Sequence, residues 1–213
     1  MQQQLQQVVD SARHEHLRFP LQQMSGANVS LPNLLTVIHP LASADNLDSY
    51  LARLALLPLH MDQATAQARA MADNCVLPPD FIIDATLAQM QQFIAPAAGD
   101  NPLVTTLAER GARIDGLAQG QHAAAVETAT ALVRDAVYPA WQRAIVELQR
   151  QRPLSNSDAG VWRLEGGADY YAAQLKNFTS TTLSAEEIHA IGLREVETIQ
   201  AQMDRLLRQL GRS

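Results

Sequence analysis

Ser184 stands immediately ahead of a helical pattern, and Glu187 follows three positions later. In this arrangement the serine hydroxyl accepts from a free N–H of the first turn and the glutamate reaches back to the N–H of the cap, so the helix start is set to one residue. Glu186 and Glu187 put negative charge at the positive end of the helix dipole, and Arg205 and Arg208 lie toward its negative end. Apolar residues recur at Ile188, Ile191, Val196, Ile199, Met203, Leu206 and Leu210. From Val196 onward they step by three and four, the stripe of a helix that packs on another helix. Asp204 and Arg208 add an i,i+4 pair in the favourable order, and Gly211 supplies a stop. A helix over 185–210 is expected. Its stripe lasts only about two heptads, short of what a coiled coil needs, so a core-facing helix is expected in preference to a dimerising zipper.

The rest of the chain reads the same way. Ala, Leu and Gln dominate the 213 residues and aromatics make up 5%, which suits helices better than sheets. A polar surface helix is expected over 2–17, with Leu5, Val8, Val9, Ala12 and Leu17 on one face, ended by Phe19-Pro20. Gly26, Pro32 and Pro40 make 21–41 irregular, and the apolar run Leu34–Ile38, lacking a partner strand, reads as a buried loop or a single turn. Leu47, Tyr50, Leu51, Leu54 and Leu57 share a helical face that continues past Pro58 to Met71. A proline there costs ~3 kcal/mol, so a kink or two consecutive helices are expected. Further helices are expected over 80–93 and 103–110. A long one follows over 121–150, with Val126, Val133, Val137, Trp141, Ile145 and Leu148 inward and a kink near Asp135 imposed by Pro139. The sum is an all-α fold of about seven helices in an irregular bundle. No repeat or composition shift marks an internal boundary, so 1–213 reads as one helical portion.

Composition excludes some functions. The net charge of −6 offers no electrostatic footprint for nucleic acid. No run of apolar residues is long enough to span a membrane. MQQQLQQVVD has neither a basic nor an apolar leader region, so a soluble, cytoplasmic chain is expected. Cys75 is the lone cysteine and reads as a small buried hydrophobe. His14 and His16 lie two residues apart and would face away from each other on a helix, which argues against a shared metal. Glu186 and His189 have the spacing of a di-iron half-site, but no second Glu-x-x-His exists to complete it. H-E-x-x-H, G-x-S-x-G, the phosphate-cradling loop and G-x-G-x-x-G are all missing. Asn28 and Asn177 begin sequons that mean little without a secretory signal. Tyr170-Tyr171, beside Gly166-Gly167, would place phenols at a cleft, although such a pair more often sends one ring to the core and one to the surface.

A stretch of word order carries more. Gly160-Val161-Trp162-Arg163-Leu164, Gly167, Tyr170-Tyr171, Leu175, Thr179-Ser180-Thr181, Leu183-Ser184, Glu186-Glu187-Ile188-His189, Gly192-Leu193 and Glu195-Val196 follow one another in this order. The block resembles the bacterial domain-of-unknown-function family 885, which reads approximately G-V-W-x-L-P-x-G-x-x-Y-Y and then T-T-T-x-L-T-P-E-E-I-H-x-x-G-L-x-E-V. Tyr50-Leu51-x-Arg53-Leu54, Asn101-Pro102-Leu103 and Val137-x-Pro139-Ala140 are similar to looser parts of the same family, so the likeness runs from about Leu21 to Leu210. Glu165-Gly166 replaces the usual Pro-Asp, Ser180 and Thr182 stand where Thr and Asp are common, and Ala185 replaces a proline. Alanine is harmless at a first helical position, where proline is favoured without being required.

The resemblance implies a larger, largely helical protein similar to zinc-dependent metallopeptidases, with a metal motif of the form H-E-x-x-P-G-H-H downstream of the quoted block. In such sites histidines hold zinc and a glutamate activates its water. No such motif occurs in these residues. The expectation is therefore a helical portion of a peptidase-like hydrolase, inactive by itself, with no metal ligands of its own, zinc in the full-length protein and a peptide substrate. Its partners would be itself or a missing C-terminal catalytic portion. Tyr170, Tyr171 and His189 are the substrate-cleft candidates, none with a catalytic role. The alternative is a stand-alone helical interaction module without enzymatic activity, pairing through Ile188–Leu210.

Overall fold

The computed structural model describes residues 12–211. Among them the secondary structure is entirely helical, as expected. The backbone groups into two compact units, 18–159 and the segment 160–211 together with 12–17. The sequence shows no change of composition at either crossing.

In 18–159 the order is α1 (Ala27–Asn33), α2 (Ala44–Asp73), α3 (Asp80–Ile94), α4 (Pro102–Gly111), α5 (Gln121–Leu132) and α6 (Tyr138–Gln151). Ser43 caps α2 by accepting from the Asn46 N–H at 3.3 Å. The buried face of α2 is Leu47, Tyr50, Leu54, Leu57, Met61, Ala64, Ala68 and Met71, an unbroken alternation of three and four. Pro58 does not divide it: α2 runs through as one helix of 30 residues. The reason is energetic. A proline costs ~3 kcal/mol in a helix interior, whereas burying each of Leu54, Leu57 and Met61 returns ~1.5–3 kcal/mol, and only a continuous helix keeps all three on one face.

The second proline is accommodated differently. Between α5 and α6, residues Val133–Val137 form a π turn, closed by the Tyr138 N–H on the Val133 carbonyl. Proline lacks an N–H and crowds the carbonyl four residues back, here that of Asp135; a wider turn shifts the hydrogen-bond ladder at that place. The kink expected near Asp135 is thus a π turn. A second π turn, Leu34–Ile38, follows α1 directly and buries only Leu35 of its apolar run, with Val37 and Ile38 exposed.

The helices α2 and α6 make the most extensive pair. Around them gather Ile83, Met90, Leu103 and Leu107, with Trp141 fully buried and its ring 5.1 Å from that of Phe93. Several buried polar groups are paired across elements, although the Trp141 indole N–H has no partner among the described residues. The Tyr50 hydroxyl donates to the Leu103 carbonyl at 2.7 Å, and burial, opposed by Arg110, pushes its pKa far above the usual range. Asn101 caps α4 by accepting from the Leu103 N–H and donates to the Phe93 carbonyl at 2.9 Å. His39 accepts from Arg53 at Nδ1, which assigns its hydrogen to Nε2, 2.8 Å from the Asn46 carbonyl. Cys75, expected inside, is exposed and sits at φ 60° in the turn that leaves α2. The helix expected over 2–17 lies outside the described residues as far as position 11; beyond it Glu15–Leu17 form a 3₁₀ turn with Leu17 buried.

Glu147 on α6 is 1% exposed and is the most demanding of these groups. Arg69 reaches it from α2 at 2.9 Å, Arg150 at 2.7 Å and Gln151 at 2.8 Å. Burial works to raise its pKa, but the hydrogen bonds from Arg150, Gln151 and Arg69 prevail and hold the carboxyl below the usual range. A depressed folded-state pKa contributes stability that is present above the ordinary glutamate value of 4.5 and lost as pH falls through the folded value. Urea unfolding should therefore show a midpoint that drops as pH falls below the ordinary glutamate value of 4.5. Glu147→Gln should flatten that drop and cost ~2 kcal/mol at neutral pH.

Candidate functional site

The second unit is built on a turn. The Leu164 N–H bonds the Val161 carbonyl at 3.0 Å and the Gly167 N–H bonds the Leu164 carbonyl at 2.9 Å, folding residues 161–167 back on themselves. Gly166 has φ 72°, a left-handed conformation that glycine adopts without strain. At Gly167 the constraint is space: a Cβ there would overlap the Val161 carbonyl oxygen. From this turn α7 (Gly167–Thr179) rises. It ends at Ser180, in the left-handed region with φ 57°. The Thr/Ser run then turns the chain. Thr179 Oγ1 donates to the Leu175 carbonyl at 2.7 Å, lies 2.9 Å from Thr181 Oγ1 and accepts from the Thr181 N–H at 3.3 Å.

The next helix, α8 (Ala185–Gln209), starts with the full capping box. The Glu187 N–H donates to Ser184 Oγ at 3.2 Å, and the Ser184 N–H donates to the Glu187 carboxylate at 2.8 Å. Its apolar stripe departs from expectation. No residue of α8 is buried; Val196, Ile199, Met203 and Leu206 are each more than half exposed. Among the described residues nothing covers this face.

The 3₁₀ turn Val161–Arg163, α7 and the start of α8 enclose a groove of ≈ 760 Å³. Val161, Ala168, Ala172, Leu175 and Leu183 supply its aliphatic surface, and the rings of Trp162 and Tyr171 stand at it, 72% and 51% exposed. Lys176 and Glu186 bring one positive and one negative group. The Glu186 carboxyl is held below its usual range by its own backbone N–H and by the Ser184 hydroxyl, so it is an anion at neutral pH.

Of the three cleft candidates, only Tyr171 lines the groove. Tyr170 is half-buried, its ring 5.7 Å from that of His14. His189 is exposed one turn into α8, away from the groove lining. Trp162, Lys176 and Leu183 also line the groove, and none of them is among the cleft candidates of the sequence. Trp162 was legible as a large aromatic two positions after a glycine; the groove role of the other two depends on how α7 and α8 fold together. Among the described residues no three His, Cys, Asp or Glu side chains gather as metal ligands would.

The family model described as "Bacterial protein of unknown function (DUF885)" matches residues 1–213. The chain belongs to this family. Comparison with curated proteins found no match. Among solved structures, the crystal structure of the "putative lipoprotein from Colwellia psychrerythraea" is similar, with a TM-score of 0.84 and 24% identity over 91% of this chain. That likeness shows a shared fold. The DUF885 chain described here spans 33% of the Colwellia chain's length.

Two substitutions test the local geometry. Gly167→Ala should break the 161–167 turn, read as loss of helical circular dichroism and a lowered melting midpoint. Gly192→Ala, where a Cβ meets nothing within 4 Å, should instead stabilise α8 by ~0.5–1 kcal/mol.

Proposed function

We propose that the chain is part of a zinc-dependent, peptidase-like hydrolase, in which its helices supply a substrate-side wall while other residues of a longer polypeptide hold the metal. The observation that carries this reading is α8, a well-capped helix whose apolar stripe is exposed from Ile191 to Leu210. Exposed apolar surface on that scale marks a missing partner. Family membership and the one-third share of the Colwellia chain support it further. The described residues themselves do not fit a zinc centre, since no set of ligands gathers among them. What they provide is the apolar groove at Trp162 and Tyr171, suited to an apolar peptide side chain. The word lipoprotein attached to the Colwellia structure favours a place outside the cytoplasm for the longer protein, as a rival to the cytoplasmic reading.

Zinc content and peptide-amide hydrolysis, measured on the 213-residue chain and on a family-length protein, test this. The short chain should bind no stoichiometric zinc and turn over nothing, and the long one should do both; zinc with turnover from the short chain overturns the reading. The exposed stripe also supports a second reading, a stand-alone interaction module. Light scattering with an apolar dye separates the two: a monomer with high dye uptake supports the wall of a larger enzyme, and self-association with little uptake supports the module.

A further inference from the structure

Lys176 is the only lysine in the sequence, against fifteen arginines. Arginines of the other unit are committed to structure: Arg69 and Arg150 to Glu147, Arg143 to Asp62, Arg152 to Asp84. Lys176 has no ion pair or side-chain hydrogen bond among the described residues and lies on the groove with Trp162, Tyr171 and Leu175. An ammonium on a flexible stem is a point charge that follows its ligand, whereas guanidinium is a fixed fork. Glu186, opposite in sign, lines the same groove.

From this complementarity we infer that the groove binds the C-terminal end of a short apolar peptide. The peptide's free carboxylate pairs with Lys176, its N–H or ammonium end faces Glu186, and its apolar side chains lie against Trp162, Tyr171 and Leu175. The assignment of a peptide rests on the hydrolase reading; the polarity and the demand for a free carboxylate come from the groove itself. The volume of ≈ 760 Å³ lies in the range that encloses ligands of a few residues. The two aromatic faces are exposed and gain burial when covered. A fatty acid would pair with Lys176 but bring no cation or N–H donor to the Glu186 carboxylate, whose existing partners are its own backbone N–H and the Ser184 hydroxyl, and a dicarboxylate would bring a second anion against it.

The experiment uses the 213-residue chain and the tripeptide Ala-Leu-Leu, with its C-terminal amide and hexanoate as comparisons. Trp162 fluorescence reports binding; Trp162→Phe isolates the background from Trp141, which is fully buried. Acetylation of the single lysine, read by mass spectrometry, reports protection of Lys176. The free acid should bind saturably, protect Lys176 and bind about fivefold tighter than the amide, the ratio expected of one solvent-facing ion pair. Lys176→Gln, checked for native circular dichroism, should bring that ratio to one, and hexanoate should bind more weakly than the tripeptide. The site assignment is overturned by an absent Trp162 response, by equal binding of acid and amide, by a preference that survives Lys176→Gln, or by hexanoate binding as tightly as the tripeptide. Binding here requires no metal and no turnover. If the short chain binds the acid but a family-length protein cleaves nothing, the hydrolase reading falls and the site stands; the reverse result leaves the hydrolase and removes the site.

Discussion

A backbone approach that tolerates no side chain organises residues 160–211. Gly167 lies so close to the Val161 carbonyl that even a methyl group would collide, and Gly166 before it occupies a left-handed conformation. These two positions let the Trp162 turn fold onto the foot of α7, and that places an indole, a phenol and the aliphatic side of α7 around one groove. The hydroxyl-laced link from Thr179 to Thr181 then returns the chain so that the first turn of α8 meets the same groove. Glycine, threonine and serine thus do here by conformation and local hydrogen bonding what a packed core does elsewhere.

The two units satisfy their apolar residues in opposite ways. In 18–159, Tyr50, Leu54, Met61, Trp141 and Leu148 are sealed between α2 and α6, and the buried Glu147 is matched by three donors. Nothing comparable exists along α8, whose start is as well specified as any in the chain but whose stripe meets no neighbour among the described residues. Local signals are enough to form that helix; they do not supply the packing that normally accounts for most helical stability in proteins.

Helix positions were legible in the sequence because their signals are local. The Ser184–Glu187 box, the Asn101-Pro102 start and the alternation of apolar residues from Leu47 to Met71 each depend on neighbours within a turn or two. What the sequence conceals is how such signals compete. Pro58 reads as a kink or a division into two helices, yet with buried apolar residues on either side α2 is not divided there, while Pro139 is absorbed by a widened turn that no propensity scale describes. Cys75 looked like a core residue by type, but its place after the last turn of α2 decides its exposure. Of the site, Tyr171 could be named from its pairing with Tyr170 and the nearby glycines. The roles of Lys176 and Glu186 depend on α7 and α8 meeting across a turn, a non-local fact with no spacing of its own.

The exposed thiol of Cys75 has a practical meaning. It is the single sulfur nucleophile in the molecule, held at a positive φ in the turn between α2 and α3 and outside the buried cluster. A maleimide dye would therefore attach at one defined place on the 18–159 unit, at a residue that is not part of the groove lining. Fluorescence anisotropy of such a conjugate would follow the tumbling of the 18–159 unit while leaving the groove's own aromatic rings unlabelled.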